Sequence, residues 1–321
     1  MSEWTMGKVP LKYQLSDRTL FRVSLPLAYR SVKVGQSVEG ATLDTPPSAT
    51  PLPHTEGFLI RAMPIEGAPS KILRMDGYIR YIPIRYTHSY IDLSLGVEEY
   101  QRKFSSKTRS TLRRKIRKYA DYCGGEIPWR LYTKKKQMRE FHRLARRVSA
   151  LSYQERTLGL GLPESEQFLS RLEDLATQNR VVASLLFHEE TPVSYLCCLA
   201  REDALTYDYQ GYDPAYSKQS VGTVLFWLTL ERLLQEKRFR IFDFTEGESQ
   251  HKRLFSTHNI ECANVFFLND NLRNRFLVRT HAGVDYVSKR LGVLLDRLGV
   301  KARVKRLLRF GRARTGPGTS G

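Results

Sequence analysis

The sequence predicts a mixed α/β (α+β) fold in which a mainly antiparallel sheet is flanked by helices. Two observations carry this prediction. Three apolar runs of strand length, separated by short polar turns, lie between residues 181 and 211, and helical apolar spacing precedes them at 134–150 and 163–178. A broadly apolar helix at 221–237 then leads into another strand at 240–244, so helices and strands alternate through the second half of the chain.

Composition narrows the class of partner. The chain has 321 residues and a net charge of +19, with 41% hydrophobic and 26% charged residues. These proportions are typical of a folded globular protein. The positive charge favours polyanionic partners: phosphate-rich cofactors, nucleic acid or an anionic membrane face. No run reaches the roughly 18 apolar residues that a transmembrane helix needs, and the first residues lack the apolar region of a signal peptide.

The first hundred residues predict a β-rich lobe. Residues 1–57 are weakly patterned, and four prolines in 44–53 predict a loop because proline removes a backbone donor. The Asp76-Gly77 pair predicts a hairpin turn. Short strands are predicted at 58–65, 71–75, 78–86 and 90–93.

A basic helix is predicted at 102–118. This segment carries nine lysines and arginines and no acidic residue, while Thr108, Leu112 and Ile116 repeat at helical spacing. Like charges four residues apart destabilise a helix unless something compensates them. Two interpretations stay open: a solvated helix face, and a surface that binds an anion.

Residues 205–223 carry the strongest functional signal. A strand at 205–211 ends in a loop and turn, and a helix begins at 221. The first turn of a helix aims unpaired N–H groups and the positive end of the helix dipole at one point, which suits a phosphate. The alternative is that Gln219 or Ser220 only caps a core helix. The predicted phosphate-binding residues are Gln219, Ser220, Val221, Gly222 and Thr223.

The chain continues from 271 as a basic helical tail, for which a disordered end is predicted. Thirteen lysines and arginines lie between Arg273 and Arg314 against two aspartates, with apolar residues at helical spacing. Such helices either pack on the domain with their arginines in water or lie on anionic lipid.

None of the four cysteines has a zinc-type spacing, so we expect reduced thiols, a cytoplasmic location and no metal.

Four segments in this order resemble the core of the GNAT N-acyltransferases. The closer resemblance is to the acetyltransferase group named after the cellulose-biosynthesis protein CelD, which is related to the FemAB-like transferases. The family usually has Pro-Gly at the start of the helix, where this chain has Val221-Gly222. The resembling segments are 104–118, 207–213, 220–225 and 243–252.

The resemblance implies a domain organisation and a reaction. Residues 1–100 would form the N-terminal lobe, with a second GNAT-like half as an open alternative; 101–270 would form the GNAT-like core and 271–321 the basic tail. The implied reaction moves an acyl group from acetyl-CoA or another acyl-CoA to an amino group of a small or anionic acceptor, such as a surface-polysaccharide precursor. In this fold the strand before the phosphate-binding turn and the strand after the helix splay apart around the pantetheine arm.

Amide formation needs a group that takes a proton from the amine and one that protonates the leaving thiolate. Asp208 is the candidate base, because an aspartate is disfavoured in the middle of a strand. Tyr209 or Tyr212 is the candidate acid. Strand alternation predicts that Tyr207 and Tyr209 share one face of the sheet and that Asp208 lies on the other.

Three further charged residues follow the next strand. Asp243 ends that strand, and Glu248 and Lys252 lie on the loop and helix beyond it, where the sites of α/β proteins collect. A lysine near the transfer site of FemAB-like relatives implies a similar place for Lys252. A simple salt bridge between Glu248 and Lys252 is the alternative.

Two other functions stay open. One is a FemAB-like transfer from aminoacyl-tRNA, which the positive charge also suits; a tRNA donor would make binding fall steeply with salt. The other is a nucleic-acid-binding protein without catalysis, although the sequence contains no recognisable motif of that class. Peripheral contact with the inner membrane face is an additional expectation from the basic tail.

Overall fold

The computed structural model describes residues 4–15, 18–34, 42–47, 55–159, 161–247 and 249–297. The strands are β1 Thr5–Leu15, β2 Arg18–Ser31, β3 Gly57–Pro64, β4 Ile72–Met75, β5 Tyr78–Tyr81, β6 Arg85–Asp92, β7 Trp129–Tyr132, β8 Val181–His188, β9 Thr191–Arg201, β10 Ala204–Tyr212, β11 Ile241–Glu246 and β12 His258–Asn269. The helices are α1 Gly96–Arg102, α2 Ser106–Tyr122, α3 Lys135–Leu151, α4 Tyr153–Leu158, α5 Glu166–Thr177, α6 Val221–Glu236, α7 Gln250–Phe255 and α8 Leu272–Arg297.

The chain divides into two compact units. One consists of Thr87–Ile260, and the other combines Met1–Tyr86 with Glu261–Gly321. The borders predicted from the sequence, at about residues 100 and 270, remain a prediction about which parts fold on their own.

The unit Thr87–Ile260 is built on a mixed sheet. Its described strands follow the order β7-β8-β9-β10-β11-β6, and neighbours are antiparallel except for the parallel pair β10 and β11. One face packs against α2 and α6, and the opposite face packs against α3 and α5. A mainly antiparallel sheet with helices on both faces confirms the predicted fold class.

Helix α6 lies deepest in this unit. Its buried residues point in several directions, including Phe226 toward the sheet and Trp227 toward Tyr100 and Phe104. The mostly apolar sequence of the helix explains this, because a helix that is apolar all round must be covered on more than one side. The start of α6 is therefore held firmly against the end of β10.

The second unit also contains a sheet. Strands β1 and β2 form a long antiparallel hairpin, β3 runs parallel to β2, and β12 pairs with both β3 and β5. This hairpin was not predicted from the sequence, although Val9, Leu11 and Tyr13 alternate in the two-residue period of a half-buried strand. The predicted turn at Asp76-Gly77 is confirmed between β4 and β5, with Gly77 at a φ of +71°.

Two predicted boundaries were wrong. The basic helix at 102–118 is two helices, because Ser105 interrupts it and its side chain accepts the Thr108 amide as the cap of α2. The predicted strands at 78–86 and 90–93 are β5 and β6, separated by a segment that contains Pro83. Residues 48–53 of the predicted loop and the predicted disordered end lie outside the described residues.

In the described part of the chain, no helix combines the length and the apolar character needed to cross a bilayer. All four cysteines lie among the described residues, and none of them forms a disulfide; Cys197 and Cys198 are buried in β9. Burial raises the pKa of both thiols, Cys197 and Cys198, so the neutral form packs in the core.

Candidate functional site

Strands β10 and β11 pair only over their first three residues. Ala204 lies opposite Ile241, and the last pair joins Thr206 to Asp243. Strand β10 nevertheless continues to Tyr212 and β11 to Glu246. The two parallel strands therefore separate beyond Thr206 and Asp243, and we call this opening the wedge. The splay predicted from the sequence is present.

A β-bulge lies at the apex of the wedge. On β10, Tyr207 pairs with Cys198 and Tyr209 pairs with Cys197, so Asp208 is an extra residue between them. A bulge reverses the alternation of side chains along a strand. Asp208 is thus placed in the strand by a local irregularity, which explains how an aspartate is accommodated there.

The bulge also separates the tyrosines. The Tyr207 ring packs against Phe226 at 5.6 Å between ring centroids, on the face that α6 covers. The Tyr209 ring packs against Phe168 of α5 at 5.3 Å, on the opposite face. The prediction that Tyr207 and Tyr209 share a face was therefore wrong, because regular alternation does not hold across Asp208.

The environment of Asp208 suits a proton acceptor. One carboxylate oxygen accepts the Leu199 amide at 3.1 Å, while part of the side chain stays open to solvent. Desolvation by the surrounding protein raises the pKa of Asp208 to about 6, and Asp243 raises this pKa further, against the lowering effects of the Leu199 amide, Arg201 and Arg171. The carboxylate is ionised at neutral pH and binds a proton more readily than an ordinary aspartate.

Asp243 is held by a partner that sequence analysis missed. His88 Nε2 lies 2.6 Å from Asp243 Oδ1, and the same oxygen accepts the Thr245 amide at 2.7 Å. A register shift between β6 and β11 brings them together, with Thr245 at a φ of +61°. The predicted strands ended at 86 and resumed at 90, so His88 lay in the gap between them. If one continuous strand had been predicted there, a histidine inside it would have indicated a candidate site residue.

The contacts of Asp243 predict a loss of stability when its side chain is removed. Asp243→Ala removes the carboxylate that contacts His88 Nε2 and accepts the Thr245 amide, so the free energy of unfolding should fall by about 2 kcal/mol. Urea unfolding measures this. Asp243→Asn is the matched control, since its amide oxygen still accepts the Thr245 amide, and it should lose less than half as much. Equal stability of the two variants would contradict the assigned contacts.

Lys252 supports the end of β11. Its Nζ donates to the carbonyl oxygens of Glu246, at 2.8 Å, and Thr245, at 3.4 Å. Burial lowers the pKa of Lys252, while Asp243 and Glu246 act in the opposite direction. Lys252 and Asp243 are therefore brought together on one side of the wedge. Glu248 lies outside the described residues, and with it the predicted salt bridge.

The start of α6 presents free backbone donors. Ser220 lies in the left-handed region at a φ of +56°, and its carbonyl oxygen accepts the amides of Thr223, at 2.9 Å, and Val224, at 3.0 Å. The Ser220 side chain makes no capping bond, so that alternative was wrong. Within the described ranges, the amides of Val221 and Gly222 have no acceptor, which leaves them available to an anion.

A shallow groove lies between the start of α6 and β10. Gly222, Tyr212 and Tyr207 line it, together with apolar atoms of Leu225 and Phe226. A Cβ on Gly222 would meet only the Tyr212 ring, at 3.4 Å, so glycine is not required there by packing. Of the two candidate acids, Tyr212 therefore lies in the groove and Tyr209 does not.

Other polar atoms near the groove lack partners. The Gln219 side-chain oxygen is buried without a donor, and so is His251 Nε2. Burial beside aromatic rings lowers the pKa of His251 to about 4, with additional lowering by Lys115 and Lys252. His251 is therefore neutral at physiological pH, and the Lys115 ammonium of the basic helix α2 lies close enough to lower the His251 pKa.

Helix α2 contributes charge at the same end. Lys118 Nζ donates to the Lys218 carbonyl at 2.8 Å, in the 3₁₀ turn Pro214–Gln219 that precedes α6. The basic helix predicted from sequence thus contacts the turn that carries the free amides. A separate cavity of about 230 Å³ lies between α2 and α6 on the side of Trp227 and Glu231, away from the groove.

The α4 region borders the other side of β10. Arg146 pairs in a bidentate manner with Glu155, at 2.6 and 2.8 Å, and Ser149 donates to the same carboxylate. A Cβ on Gly211 would lie 2.6 Å from the Tyr195 ring and 3.0 Å from Ser152 Cβ. This network fixes the segment around Ser152 directly against the outer half of β10.

The described residues contain no group of three His, Cys, Asp or Glu side chains that could hold a metal ion.

Comparison with known families agrees with this geometry. Residues 106–253 match the family model described as "Acetyltransferase (GNAT) domain". The match covers slightly less than half of the 321-residue chain and includes α2, the wedge and the start of α6. These residues are therefore similar to a GNAT acetyltransferase domain, and this similarity supports an acyltransferase enzyme. No curated protein shows significant similarity to the sequence.

The chain is also similar to several solved structures, including the following three. The C-terminal domain of a protein from Agrobacterium fabrum, assigned to the lysylphosphatidylglycerol synthetases, is 11% identical with a TM-score of 0.47, over 71% of this chain and 72% of that one. FemX is 10% identical with a TM-score of 0.49, over 85% and 90%. An aminoglycoside acetyltransferase from an uncultured soil metagenomic sample, in complex with sisomicin, is 16% identical with a TM-score of 0.31, over 42% and 86%.

Proposed function

We propose that this protein transfers an acyl group from acyl-CoA to an amino group. The observation that carries the proposal is the wedge, which opens directly beside the unpaired amides at the start of α6. GNAT acetyltransferases use acyl-CoA, and residues 106–253 match that family. A strand opening next to a helix N-terminus offers a slot for a long apolar arm and a site for its phosphates.

The residues at this position fit acyl-CoA. The Val221 and Gly222 amides and the nearby Lys118 ammonium would hold a pyrophosphate, and Thr223 follows in the same helical turn. Leu225 and Phe226 contribute apolar atoms to the shallow groove, which a pantetheine arm would contact. The buried oxygen of Gln219 lacks a donor, which an amide N–H could supply. Bound there, acyl-CoA would supply the acyl group as a reactive thioester.

In this proposal two side chains move protons. Asp208 takes a proton from the acceptor's ammonium group at its free carboxylate oxygen, since the other oxygen accepts the Leu199 amide. The freed amine would then attack the thioester carbonyl, so that the C–N bond forms as the C–S bond breaks. Tyr212, which lies in the groove, would give its hydroxyl proton to the departing sulfur and take back the proton that the new amide nitrogen releases. Tyr209 faces Phe168 instead and shapes the acceptor side. His88, Asp243 and Lys252 position the end of β11, so we assign them positioning rather than proton transfer.

The acceptor is proposed to be an anionic molecule that carries an amino group. Arg171 and Arg201 both act on the Asp208 carboxylate, so positive charge lies beside the proposed base. Such charge would attract a phosphate or carboxylate on the acceptor. A precursor of a surface polysaccharide, made in the cytoplasm, has this chemistry, and the CelD-like relationship remains part of the proposal.

One observation favours the second candidate function, transfer from aminoacyl-tRNA. The exposed face of α2 carries Arg113, Arg114 and Arg117, and in the described part of the chain none of them has an ion-pair partner. An unpaired basic helix would bind a nucleic-acid backbone.

Acetyl transfer from radiolabelled acetyl-CoA to a panel of amino sugars and their nucleotide-linked forms tests the first proposal. Label incorporated into an anionic amino sugar, at a rate at least about 100-fold lower with Asp208→Asn, supports it. Incorporation only from aminoacyl-tRNA, with strong inhibition by salt, supports the second candidate.

A further inference from the structure

An exposed apolar stripe runs along α8. Leu272, Phe276, Tyr286 and Val287 are 81%, 71%, 58% and 50% exposed. At 3.6 residues per turn, these positions fall within a sector of about 100°. A soluble surface rarely places this many large apolar side chains along one line without a partner.

The packing of α8 fixes the direction of the stripe. On the opposite side of the helix, Val278 is buried and His281 Nδ1 lies 2.6 Å from the Tyr81 hydroxyl. The Tyr13 hydroxyl donates to the Leu277 carbonyl at 3.1 Å. These contacts hold one face of the helix against its own unit, so the apolar stripe stays directed outward.

The charges around the stripe are positive. Arg279 and Arg290 are exposed on the same face. Asp285 lies on the packed side, where Lys71 and Lys289 both pair with it. The outward face of α8 thus combines apolar side chains with arginines, and no carboxylate faces outward among its described side chains. The sequence beyond residue 297 adds seven lysines and arginines and no acidic residue.

We propose that this face of α8 docks the protein on an anionic lipid bilayer. The apolar stripe would enter the boundary between headgroups and acyl chains, and Arg279 and Arg290 would contact lipid phosphates. A nucleic acid would leave Leu272 and Val287 without a contact. A second copy of the chain would bring arginines against arginines, which is unfavourable. The lipid surface alone satisfies both the apolar and the charged part of the face.

Vesicle sedimentation with the full chain and without CoA tests this proposal. Wild-type protein should bind phosphatidylcholine vesicles that contain about 30% phosphatidylglycerol, and not phosphatidylcholine alone, with binding that weakens as salt rises. The double variant Phe276→Asp with Tyr286→Asp should bind at least about tenfold more weakly. Ile84→Asp is the matched control, since Ile84 is equally exposed at 56% but lies outside α8; its binding should stay within about twofold of wild type.

Insertion has its own readout. Phe276→Trp should show fluorescence that brominated anionic lipids quench, because the ring would lie at the acyl-chain boundary. Three results would overturn the proposal. The wild-type protein could fail to bind anionic vesicles, the double variant could bind them as tightly as wild type, or light scattering could show that the wild type is a dimer and the double variant a monomer. The second would assign binding to charge alone and the third would assign the stripe to an interface between copies. None of these outcomes depends on the transfer reaction.

Discussion

Replacing Asp208 by asparagine should lower kcat/KM for acyl transfer by at least about 100-fold, because a positioned general base contributes about 10²–10⁴ to rate. The substitution keeps the shape of the side chain and its acceptor for the Leu199 amide. The loss should appear mainly in kcat, since the proposed acyl-CoA site at the start of α6 is untouched.

The pH dependence follows from the same carboxylate. Because the pKa of Asp208 is raised to about 6, wild-type kcat/KM should fall about tenfold per pH unit below pH 6 as the base becomes protonated. Residual activity of Asp208→Asn should lack this acidic limb. An unchanged limb in the variant would contradict the assignment of Asp208 as the base.

Stability provides the control for this variant. Because the pKa of Asp208 is higher in the folded protein than in the unfolded chain, the folded state holds the Asp208 proton more tightly. The contribution of Asp208 to the free energy of unfolding therefore falls as the pH rises from about 4 to 6. Removing the charge should therefore leave the melting temperature at pH 7.5 equal to or above that of wild type. An inactive but destabilised variant would instead point to a structural role for Asp208.

Gly222→Glu should remove acyl-CoA binding while the protein stays folded. A glutamate in the first turn of α6 suits the helix dipole and is a better helix former than glycine. Its Cβ meets only the Tyr212 ring, at 3.4 Å. At the same place its charge would repel a pyrophosphate, so we expect binding to weaken at least about tenfold. Calorimetry measures the affinity, and thermal unfolding measures the stability.

Two controls separate charge from shape at this position. Gly222→Ala adds only a methyl group and should weaken binding less than Gly222→Glu. Gln167→Glu adds the same charge to the first turn of α5, on the opposite face of the sheet, and should bind acyl-CoA as wild type does. If Gly222→Glu binds acyl-CoA normally, the phosphates do not lie on the start of α6.

The order of elements between residues 106 and 253 could be predicted from sequence because periodicity is strong there. Each of these patterns predicts one type of element: the apolar runs of β8 and β9 predict buried strands, and the broad apolar surface of α6 predicts a buried helix. The β1–β2 hairpin was not predicted, although Val9 and Leu11 alternate with polar residues as in a half-buried strand. Sequence periodicity thus predicted the most buried elements best.

The site was predictable in part. The turn before α6 and Asp208 were identified from local sequence, but the bulge that separates Tyr207 from Tyr209 is a property of strand pairing. His88 reaches Asp243 only through the register of β6 and β11, which are about 150 residues apart in sequence. Contacts of this kind depend on which strands become neighbours, and a short motif does not contain that information.

Calorimetric titration of the wild-type protein with acetyl-CoA, at about 50 and 200 mM salt, measures whether the start of α6 binds acyl-CoA. We expect a dissociation constant in the micromolar range at both salt concentrations, since only a few phosphates would contact the start of α6. No heat from a folded protein, together with tRNA binding that falls about 10³-fold or more between the two salt concentrations, would contradict it and assign the basic surface to nucleic acid.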